Sequence, residues 1–304
     1  MEFKKAILIY NGSAGQKDIE QILGPTVPIL AAAVPVLQIF QTQEQGHARK
    51  LCETYGEQTD LIIILGGDGT VHECINGLAG LEHRPAVAIL PGGTCNDFAR
   101  TLGIDMDLRM AAKQLMDGEI ASVDILKVND HYSLNFWGIG LIAETSMNIN
   151  QTEKERLGKI SYMLSVMRTM KEMNPFKYEL EVDGKKVDGE AVMIFVANGK
   201  YVGTNPLPFQ AIEYDDGLAD VFIIKNANLV LLKEVSTADV TVDGNEASRE
   251  LDHYRGQAIT IKTENEMEAD MDGEVYLNTP GYIQVLKHHL RILKPQNENV
   301  QTNN

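Results

Sequence analysis

Glycine-rich turns with an embedded aspartate are the part of this sequence best suited to chemistry. The clearest reads Gly66-Gly67-Asp68-Gly69-Thr70 and follows the apolar run Leu61–Leu65. Glycines let backbone N–H groups approach phosphate oxygens, and the N-terminus of a following helix adds partial positive charge. A carboxylate would repel phosphate, so Asp68 predicts a Mg²⁺ ion held directly or through water. The alternative is an ordinary βα turn in which Asp68 and Thr70 only cap the helix.

Two further turns repeat this pattern. Gly92-Gly93-Thr94 follows another apolar run, and the Thr94 hydroxyl can donate to a phosphate. Asn96 and Asp97 can cap the next helix or reach a nucleotide and its metal. The third turn, Asn11-Gly12-Ser13-Ala14-Gly15, could alone be any loop. Because ligands of parallel sheets bind at the carboxyl ends of the strands, the three turns together predict one nucleotide-binding crevice.

Three common nucleotide-enzyme signatures are missing from the chain. It has no G-x-x-x-x-G-K-[ST] P-loop, no H-R-D or D-F-G pair, and no G-x-G-x-x-G fingerprint. P-loop enzymes and protein kinases are therefore excluded, and a redox Rossmann enzyme is disfavoured.

The elements that must position these turns alternate between strand and helix over the first 127 residues. Strand-like runs are Ala6–Tyr10, Val34–Phe40, Leu61–Leu65, Ala86–Leu90 and Val123–Val128. Helix-like stretches lie near residues 17–30, 44–56, 70–80 and 107–117. Apolar strands that alternate with helices predict βαβ units and a parallel sheet buried on both faces.

After residue 130 strand-like segments follow one another directly. Glu179–Val187 predicts a hairpin with an Asp-Gly turn, and the series continues through Tyr282–Leu286. We predict an α/β domain at 1–127, an antiparallel β-sandwich at 128–290, and a tail at 291–304 that packs back on the first domain before becoming disordered. A Met-rich stretch at 155–173 predicts an amphipathic helix against the β domain. The other interpretation is that this stretch admits acyl chains.

Composition narrows the function further. The 304 residues suit two domains, and the net charge of −16 argues against nucleic-acid binding and strong electrostatic membrane attachment. Three cysteines without C-x-x-C spacing fit a reducing compartment. The longest apolar stretch, Val27–Leu37, contains two prolines and is too short to span a bilayer. We therefore predict a soluble cytoplasmic protein whose contact with membranes is peripheral and transient.

Two acidic turns lie in the second half of the chain. In Asp272-Gly273-Glu274 the glycine permits a tight turn, and the Asp272 carboxylate could accept the proton of an attacking hydroxyl. By itself this tripeptide fits a plain hairpin turn equally well. Asp215-Asp216-Gly217 would likewise be read as a solvent loop if it stood alone.

Taken in order, these motifs resemble the signatures of the bacterial soluble lipid kinases of the diacylglycerol kinase catalytic-domain family. The resemblance rests on Gly66–Thr70 with Glu73, Gly92–Arg100, Asp215–Leu218 and Met271–Glu274, and it covers essentially the whole chain. NAD kinases and, loosely, 6-phosphofructokinases share the first element, while the second and fourth are more specific to lipid kinases. This sequence departs from the family in having His72 for the usual Asn and Met271 for a common Leu, and Asn198–Asn205 follows the family's glycine-rich pattern only loosely.

The resemblance implies a doubly wound α/β nucleotide domain, a mainly antiparallel β-sandwich domain, and an active site in the cleft between them. It implies Asp272 as the general base and a structural Mg²⁺ at the turn containing Asp216, bound also by the backbone carbonyls of Glu213 and Leu218. It also implies a water-mediated catalytic Mg²⁺ network through Asp68, Asp97 and Asp124. The implied ATP contacts are Asn11, Gly12, Ser13, Ala14, Gly15, Thr42, Gly66, Gly67, Asp68, Gly69, Thr70, Val71, His72 and Thr94.

The function expected from this resemblance is ATP- and Mg²⁺-dependent transfer of the γ-phosphate to a lipid hydroxyl. Diacylglycerol, which would give phosphatidic acid, is the first choice of acceptor. A sphingoid base, ceramide or phosphatidylglycerol also offers a hydroxyl. Two different functions stay open beside a lipid kinase, namely an NAD-kinase-like nucleotide kinase and a catalytically silent lipid-binding protein. The oligomeric state stays open, with a homodimer as one candidate.

Overall fold

The computed structural model describes residues 3–12, 19–140, 174–207, 209, 212–226 and 250–296. The chain divides into two compact units, of which the first comprises residues 1–123 and 290–304 and the second residues 124–289. None of the helices within the described ranges combines the length and hydropathy of a membrane span. The predicted lipid-contacting stretch at 155–173 lies outside the described residues.

The first unit is built on a parallel sheet. Its strands are β1 (Lys5–Asn11), β2 (Val36–Thr42), β3 (Leu61–Gly66) and β4 (Ala86–Pro91), in the order β2-β1-β3-β4. The helices are α1 (Ile19–Leu23), α2 (Val27–Ala33), α3 (His47–Tyr55), α4 (Asp68–Leu78), α5 (Asp97–Thr101) and α6 (Leu108–Met116), with a 3₁₀ turn at Gly56–Gln58. Every residue of β3 and β4 is buried, as expected for central strands covered on both faces.

The predicted helix at 17–30 consists of two short helices, α1 and α2, as far as the described residues show. The chain breaks at Gly24, whose N–H donates to the carbonyl of Glu20, and Pro25 follows directly. Proline lacks an N–H and clashes with the preceding helical turn, so a continuous helix is not possible there. The apolar residues of the segment still bury Ile22 and Leu30.

The second unit contains two antiparallel sheets. Its strands are β6 (His131–Ser133), β7 (Phe136–Ile139), β8 (Phe176–Val182), β9 (Lys185–Ala191), β10 (Met193–Ala197), β11 (Tyr201–Val202), β12 (Asn205–Pro206), β13 (Ala219–Ile224), β14 (Leu251–Gly256), β15 (Ala258–Thr263), β16 (Glu268–Met271) and β17 (Val275–Asn278), together with most of β18 (Gly281–Lys294) and the second half of β5 (Glu119–Val128). One sheet has the order β14-β13-β10-β7-β16-β17, and the other runs β18-β15-β8-β9 with β5 and β6 at its side. Strands β11 and β12 form a separate two-stranded ribbon. A single apolar cluster, which includes Trp137 and Val221 from the first sheet and Leu180 and Ile259 from the second, makes the unit a sandwich.

The hairpin predicted at Glu179–Val187 is confirmed. Strands β8 and β9 pair antiparallel, and Asp183 and Gly184 turn between them with φ of 49° and 84°. These left-handed values are those of the Asp-Gly hairpin turn.

Strand β5 does not continue the parallel series suggested by the alternating pattern. It pairs antiparallel with β6 and also pairs with β18. The place beside β4 is taken by the end of β18, where Arg291 and Ile292 pair parallel with Ala86 and Val87. The sequence predicts that the last strand ends at Leu286, whereas β18 continues to Lys294. The extra residues pair with β4, and the sequence gives no local signal of that pairing because the two strands are far apart in the chain.

Candidate active site

Several predicted nucleotide-binding residues lie at the carboxyl ends of neighbouring parallel strands. Asn11 ends β1 in register with Thr42, which ends β2. Gly66 ends β3, and Thr94 lies in the turn after β4. Parallel strands place these ends at one edge of the sheet, where ligands of such sheets bind. Gly12 follows Asn11, and the predicted contacts Ser13, Ala14 and Gly15 lie outside the described residues.

The two glycine turns that follow β3 and β4 are in direct backbone contact. The N–H of Gly92 donates to the carbonyl of Gly66 at 2.8 Å. A Cβ added at Gly93 would lie 2.4 Å from the Cα of Gly67, closer than real Cβ contacts allow. The glycines therefore serve close backbone approach, as a surface of N–H groups for phosphate requires.

We expect Gly93→Ala to disturb this contact measurably. The added methyl group must push the two turns apart, which should lower the free energy of unfolding by about 1–3 kcal/mol. The KM for ATP should rise about tenfold, equivalent to about 1.4 kcal/mol of lost binding. Kinetics and thermal unfolding measure both effects. Gly80→Ala is the matched control, since a Cβ there meets nothing within 4 Å, and equal effects in the two variants would contradict the packing argument.

Asp68 ties the two glycine turns together. Its carboxylate accepts the backbone N–H of Asn96 at 2.8 Å and that of Asp97 at 2.7 Å. Asn96 has a left-handed φ of 53°, and its side chain bonds both the N–H and the carbonyl of Gly93 at 2.9 Å. The predicted acidic residues Asp68 and Asp97 are thus neighbours across two turns.

The remaining predicted residues of this segment differ in exposure. Gly67, Asp68 and Gly69 are partly exposed, whereas Thr70, Val71 and His72 are buried. The His72 ring lies in α4 against the Asn76 amide, with Nε2 and Nδ2 3.1 Å apart. A histidine in place of asparagine is therefore accommodated within the helix, and its contact with a nucleotide stays a prediction.

Glu73 has a position that was not predicted from the sequence. Its two carboxylate oxygens accept the N–H groups of Gly46 at 2.8 Å and Ala48 at 3.2 Å. These donors lie at the N-terminus of α3, where a carboxylate is stabilised by the helix dipole. Glu73 therefore fixes the segment that follows Thr42. The only indication of this role in the sequence was that Glu73 lies in the same helix as Asp68.

In the second unit Asp272 lies in the turn between β16 and β17. Asp272 and Gly273 have left-handed φ values of 57° and 77°. Oδ1 of Asp272 accepts the Ser133 hydroxyl at 2.6 Å and the N–H groups of Asn135 and Phe136 at 3.0 and 3.1 Å. Oδ2 accepts the N–H of Leu134 at 3.2 Å. The predicted base is thus an aspartate oriented by the loop at 133–136, which sequence reasoning missed.

This geometry is consistent with both interpretations that the sequence left open for Asp272, a hairpin turn and a proton acceptor. Asp272-Gly273 is a hairpin turn, since β16 and β17 pair antiparallel around it. Its carboxylate is nevertheless bound by a loop more than 130 residues earlier in the chain. A turn residue that needed only the local geometry would not require such a set of donors, so the arrangement favours a role for the carboxylate itself.

Asp270, two residues before Asp272, has an unusual pKa. The pKa of its carboxyl is raised to about 6, mainly by burial and further by the charges of Asp272 and Glu268, while the hydrogen bond from the N–H of Gly273 opposes the rise. Gly273 donates to Oδ1 of Asp270 at 2.8 Å. Two carboxylates at one turn therefore repel each other, as is common where an acid is tuned for proton transfer.

The raised pKa of Asp270 predicts a pH-dependent stability. Its carboxyl binds a proton more readily in the folded state, so the free energy of unfolding falls as the pH rises from about 4 to about 6. Asp270→Asn, which can keep the bond from Gly273, should be more stable than the wild type at neutral pH. This advantage should vanish near pH 4. Thermal unfolding across this range measures it, and an equal difference at both pH values would refute the assignment.

Asp124 is fully buried and clamps a neighbouring turn. Its carboxylate accepts the N–H of Gly217 at 2.5 Å and that of His288 at 2.6 Å. In that turn the Asp216 carboxylate accepts the N–H of Leu218 at 2.9 Å and pairs with the Arg255 guanidinium. The structure thus joins Asp124 to the turn of the predicted structural metal.

The donor atoms at these positions suit magnesium. No group of three or more histidine, cysteine, aspartate or glutamate side chains in the described ranges is arranged to hold a metal directly. Carboxylate and carbonyl oxygens nevertheless fit Mg²⁺, which keeps several waters and uses one or two carboxylates. At the turn, Lys287 donates to the Asp216 carbonyl at 3.1 Å, and Lys200 pairs with the Glu213 carboxylate at 2.9 Å. A bound ion there would share the Asp216 carboxylate with the Arg255 guanidinium, while the two lysines contact atoms that are not the implied ligands.

A depression of about 780 Å³ lies elsewhere in the second unit. It is formed by β8, β9 and β15 and is lined mainly by charged side chains such as Lys177, Glu181 and Lys262. None of its lining residues belongs to the predicted site. The acidic residues and glycine turns, rather than this depression, define the candidate site.

Comparison with known proteins covers nearly the whole chain. Residues 5–128 match the diacylglycerol kinase catalytic domain, and residues 138–294 match the YegS C-terminal NAD kinase beta sandwich-like domain. Proteins named "Putative lipid kinase" from Staphylococcus haemolyticus and Staphylococcus aureus are 36% and 32% identical. The alignments cover 97% and 96% of this chain and 98% and 97% of those proteins.

Solved structures are similar over the same length. The crystal structure of "a putative diacylglycerol kinase" from Bacillus anthracis has a TM-score of 0.84 and is 43% identical. A second structure, named as a diacylglycerol kinase from the same organism, has a TM-score of 0.79 and is 36% identical. Each covers 97% of this chain and 98% of its own.

Proposed function

The chain belongs to the bacterial lipid kinase family with a diacylglycerol kinase catalytic domain, and on this basis we propose that it transfers the γ-phosphate of ATP to a lipid hydroxyl in a Mg²⁺-dependent reaction. Membership in this family makes it a kinase that acts on an alcohol. Diacylglycerol is the proposed acceptor and phosphatidic acid the product. The catalytic-domain match and the names of the similar structures support this choice.

The observation that carries the proposal is the junction of two glycine turns through Asp68. Backbone N–H groups of these turns would hold the ATP phosphates, with Asn11 to Gly15, Thr42, Thr70 to His72 and Thr94 as the other proposed contacts. Asp68 and Asp97 supply carboxylates beside the phosphates, which suits a metal-bound nucleotide and not a free anion. The predicted location of the site in a cleft between the domains stays a prediction.

The proposed chemistry needs one proton acceptor. The alcohol oxygen bonds to the γ-phosphorus while the bond from that phosphorus to the bridging oxygen breaks, so ADP leaves with the electron pair. Asp272 takes the proton of the alcohol, and the donors from Ser133 to Phe136 hold its carboxylate in place.

Two magnesium sites are proposed with this reaction. Asp68, Asp97 and Asp124 would hold one through water, and Glu213, Asp216 and Leu218 would hold a structural one. When bound, the catalytic ion supplies charge neutralisation for the phosphates. Peripheral membrane contact, a cytoplasmic location and a homodimer complete the proposal.

Labelled-phosphate transfer to a host lipid extract tests the proposal. The purified protein is incubated with γ-labelled ATP and Mg²⁺, and the products are identified by mass spectrometry. Phosphatidic acid is the expected main product. A phosphorylated sphingoid base, ceramide or phosphatidylglycerol would overturn the choice of diacylglycerol but keep a lipid kinase.

Two further arms decide between classes of function. NAD replaces the lipid in one, because the second domain match names an NAD kinase-like sandwich. NADP formed in place of a phospholipid would overturn the lipid proposal. Absence of any labelled product, with folding verified, would indicate a catalytically silent lipid-binding protein.

A further inference from the structure

Asn198 lies at the end of β10 and is fully buried. Its side-chain Nδ2 donates to the carbonyl of Leu134 at 2.8 Å and to the carbonyl of Asp124 at 3.1 Å. Both hydrogens of one amide group are therefore used on two separate segments of the second unit. Each of these segments carries or contacts an acidic residue of the proposed reaction.

The backbone after β10 strengthens one of these links. The N–H groups of Asn198 and Gly199 both donate to the carbonyl of Asn135, at 2.8 and 2.9 Å. A Cβ added at Gly199 would lie 2.3 Å from Oδ1 of Asn135, so only glycine allows this approach. The loop at 133–136 is thus held through the carbonyls of Leu134 and Asn135.

The same loop turns its donors toward Asp272. The N–H groups of Asn135 and Phe136 share their peptide units with the carbonyls of Leu134 and Asn135, and both bind the Asp272 carboxylate. Because the peptide unit is planar, fixing a carbonyl fixes the direction of the N–H on the other side of it. The Asn198 amide therefore controls the direction of the Asn135 N–H, and the backbone after β10 controls that of Phe136.

The second hydrogen of Asn198 reaches the segment of Asp124. Asp124 is held there by its own carbonyl, while its carboxylate binds Gly217 and His288. One side chain consequently contacts the backbone at both acidic sites of this unit. No other residue type of this length supplies two hydrogens and no charge, since aspartate has none and serine has one.

The amide oxygen of Asn198 indicates that this side chain acts as a hydrogen-bond donor and not as an acceptor. Oδ1 is buried and accepts a hydrogen bond from none of the described residues. Reversing the amide would place this oxygen against two carbonyl oxygens, so the observed orientation is the required one. A buried acceptor without a donor destabilises the fold, so the contribution of Asn198 must come from its two donated bonds.

We propose that Asn198 is the positioning residue that jointly aligns Asp124 and Asp272, acting through the 133–136 loop. This inference rests on the proposed function for Asp272. Without the amide, the N–H of Asn135 would no longer be directed at Oδ1 of Asp272, and the base would lose its reactive direction. A misplacement of about 1 Å in such a site lowers turnover by about 10²-fold.

Asn198→Leu tests the proposal, because leucine matches the shape and removes both hydrogens. We expect kcat to fall about 10²-fold while the KM for ATP changes by less than about twofold. Removal of the unsatisfied oxygen offsets only part of the cost, because the carbonyls of Leu134 and Asp124 lose this donor, so thermal stability should fall.

Hydrogen exchange provides a readout that needs no substrate. The backbone N–H of Asn135 should exchange faster in Asn198→Leu than in the wild type, while those of β3 should not change. If the wild-type protein phosphorylates no acceptor, the proposed function fails, and this exchange measurement still tests whether Asn198 holds the loop.

Thr279→Val is the matched control. Thr279 is also buried in the second unit, and its hydroxyl bonds Thr263 and the N–H of Met267. This variant loses comparable bonds and should keep wild-type kinetics. Should Asn198→Leu fail to fold, Asn198→Ser, which also lacks the two amide hydrogens, replaces it. Wild-type turnover in a folded Asn198 variant, or unchanged exchange at Asn135, would overturn the proposal.

Discussion

Asp272→Asn should lower kcat about 10²- to 10⁴-fold, the range in which general bases contribute. Asparagine has the same shape, so the turn and most bonds from the loop at 133–136 should remain. Its amide cannot take the proton of the attacking alcohol. The KM for ATP should stay within about twofold, because the loss concerns the transition state and not nucleotide binding.

The kinetic measurement uses steady-state phosphate transfer, with ATP affinity measured separately by calorimetry. Asp183→Asn is a matched control from the same unit. Asp183 also precedes a glycine, has a left-handed φ of 49°, and accepts the backbone N–H groups of Gln257 and Ala258. Near-normal turnover in Asp272→Asn would rule out the base, and a comparable loss in Asp183→Asn would show that the effect is merely structural.

Asp68→Asn is the second variant for which we expect a large effect, a fall of about 10²- to 10³-fold in kcat/KM for ATP. The Asp68 carboxylate accepts N–H groups with both oxygens. An amide would turn an NH₂ group toward one of these donors, which breaks the junction of the glycine turns. It also removes a negative charge next to the proposed metal, so the Mg²⁺ concentration for half-maximal activity should rise.

Magnesium titrations at saturating ATP separate these two consequences. The control is Asp60→Asn, since Oδ2 of Asp60 also accepts two backbone N–H groups, from Lys4 at 2.9 Å and Lys5 at 3.0 Å. This variant should retain its magnesium dependence and activity. If Asp68→Asn changes stability alone, with kcat/KM and magnesium dependence intact, Asp68 is only a structural clamp.

Local patterns were sufficient to predict the central strands of the first unit and their glycine turns. The apolar runs at Leu61–Leu65 and Ala86–Leu90 correspond to β3 and β4 within one residue. The glycine turns directly after them predict a phosphate site from the sequence alone, because a strand, a turn and a helix N-terminus are contiguous in the chain. The break between α1 and α2 was missed, although Gly24-Pro25 is itself a local signal.

The second unit was predictable in class but not in its contacts. Alternating strand patterns and the Asp183-Gly184 turn indicated antiparallel pairing, which the structure confirms. These patterns could not show that the C-terminal end of β18 pairs with β4, since the residues of a strand do not indicate which strand it pairs with. The oligomeric state and the acceptor lipid were equally inaccessible to these patterns.

By itself, the sequence determined the residue types that can do chemistry here: the glycine turns, Asp68, and an aspartate at 272 followed by glycine. Tertiary structure alone decided what holds them, namely the loop at 133–136 around Asp272 and the Asn198 amide behind that loop. The physical reason is that most of these bonds use backbone N–H and carbonyl groups. Every residue except proline offers both groups, so they become specific only when folding brings distant segments together.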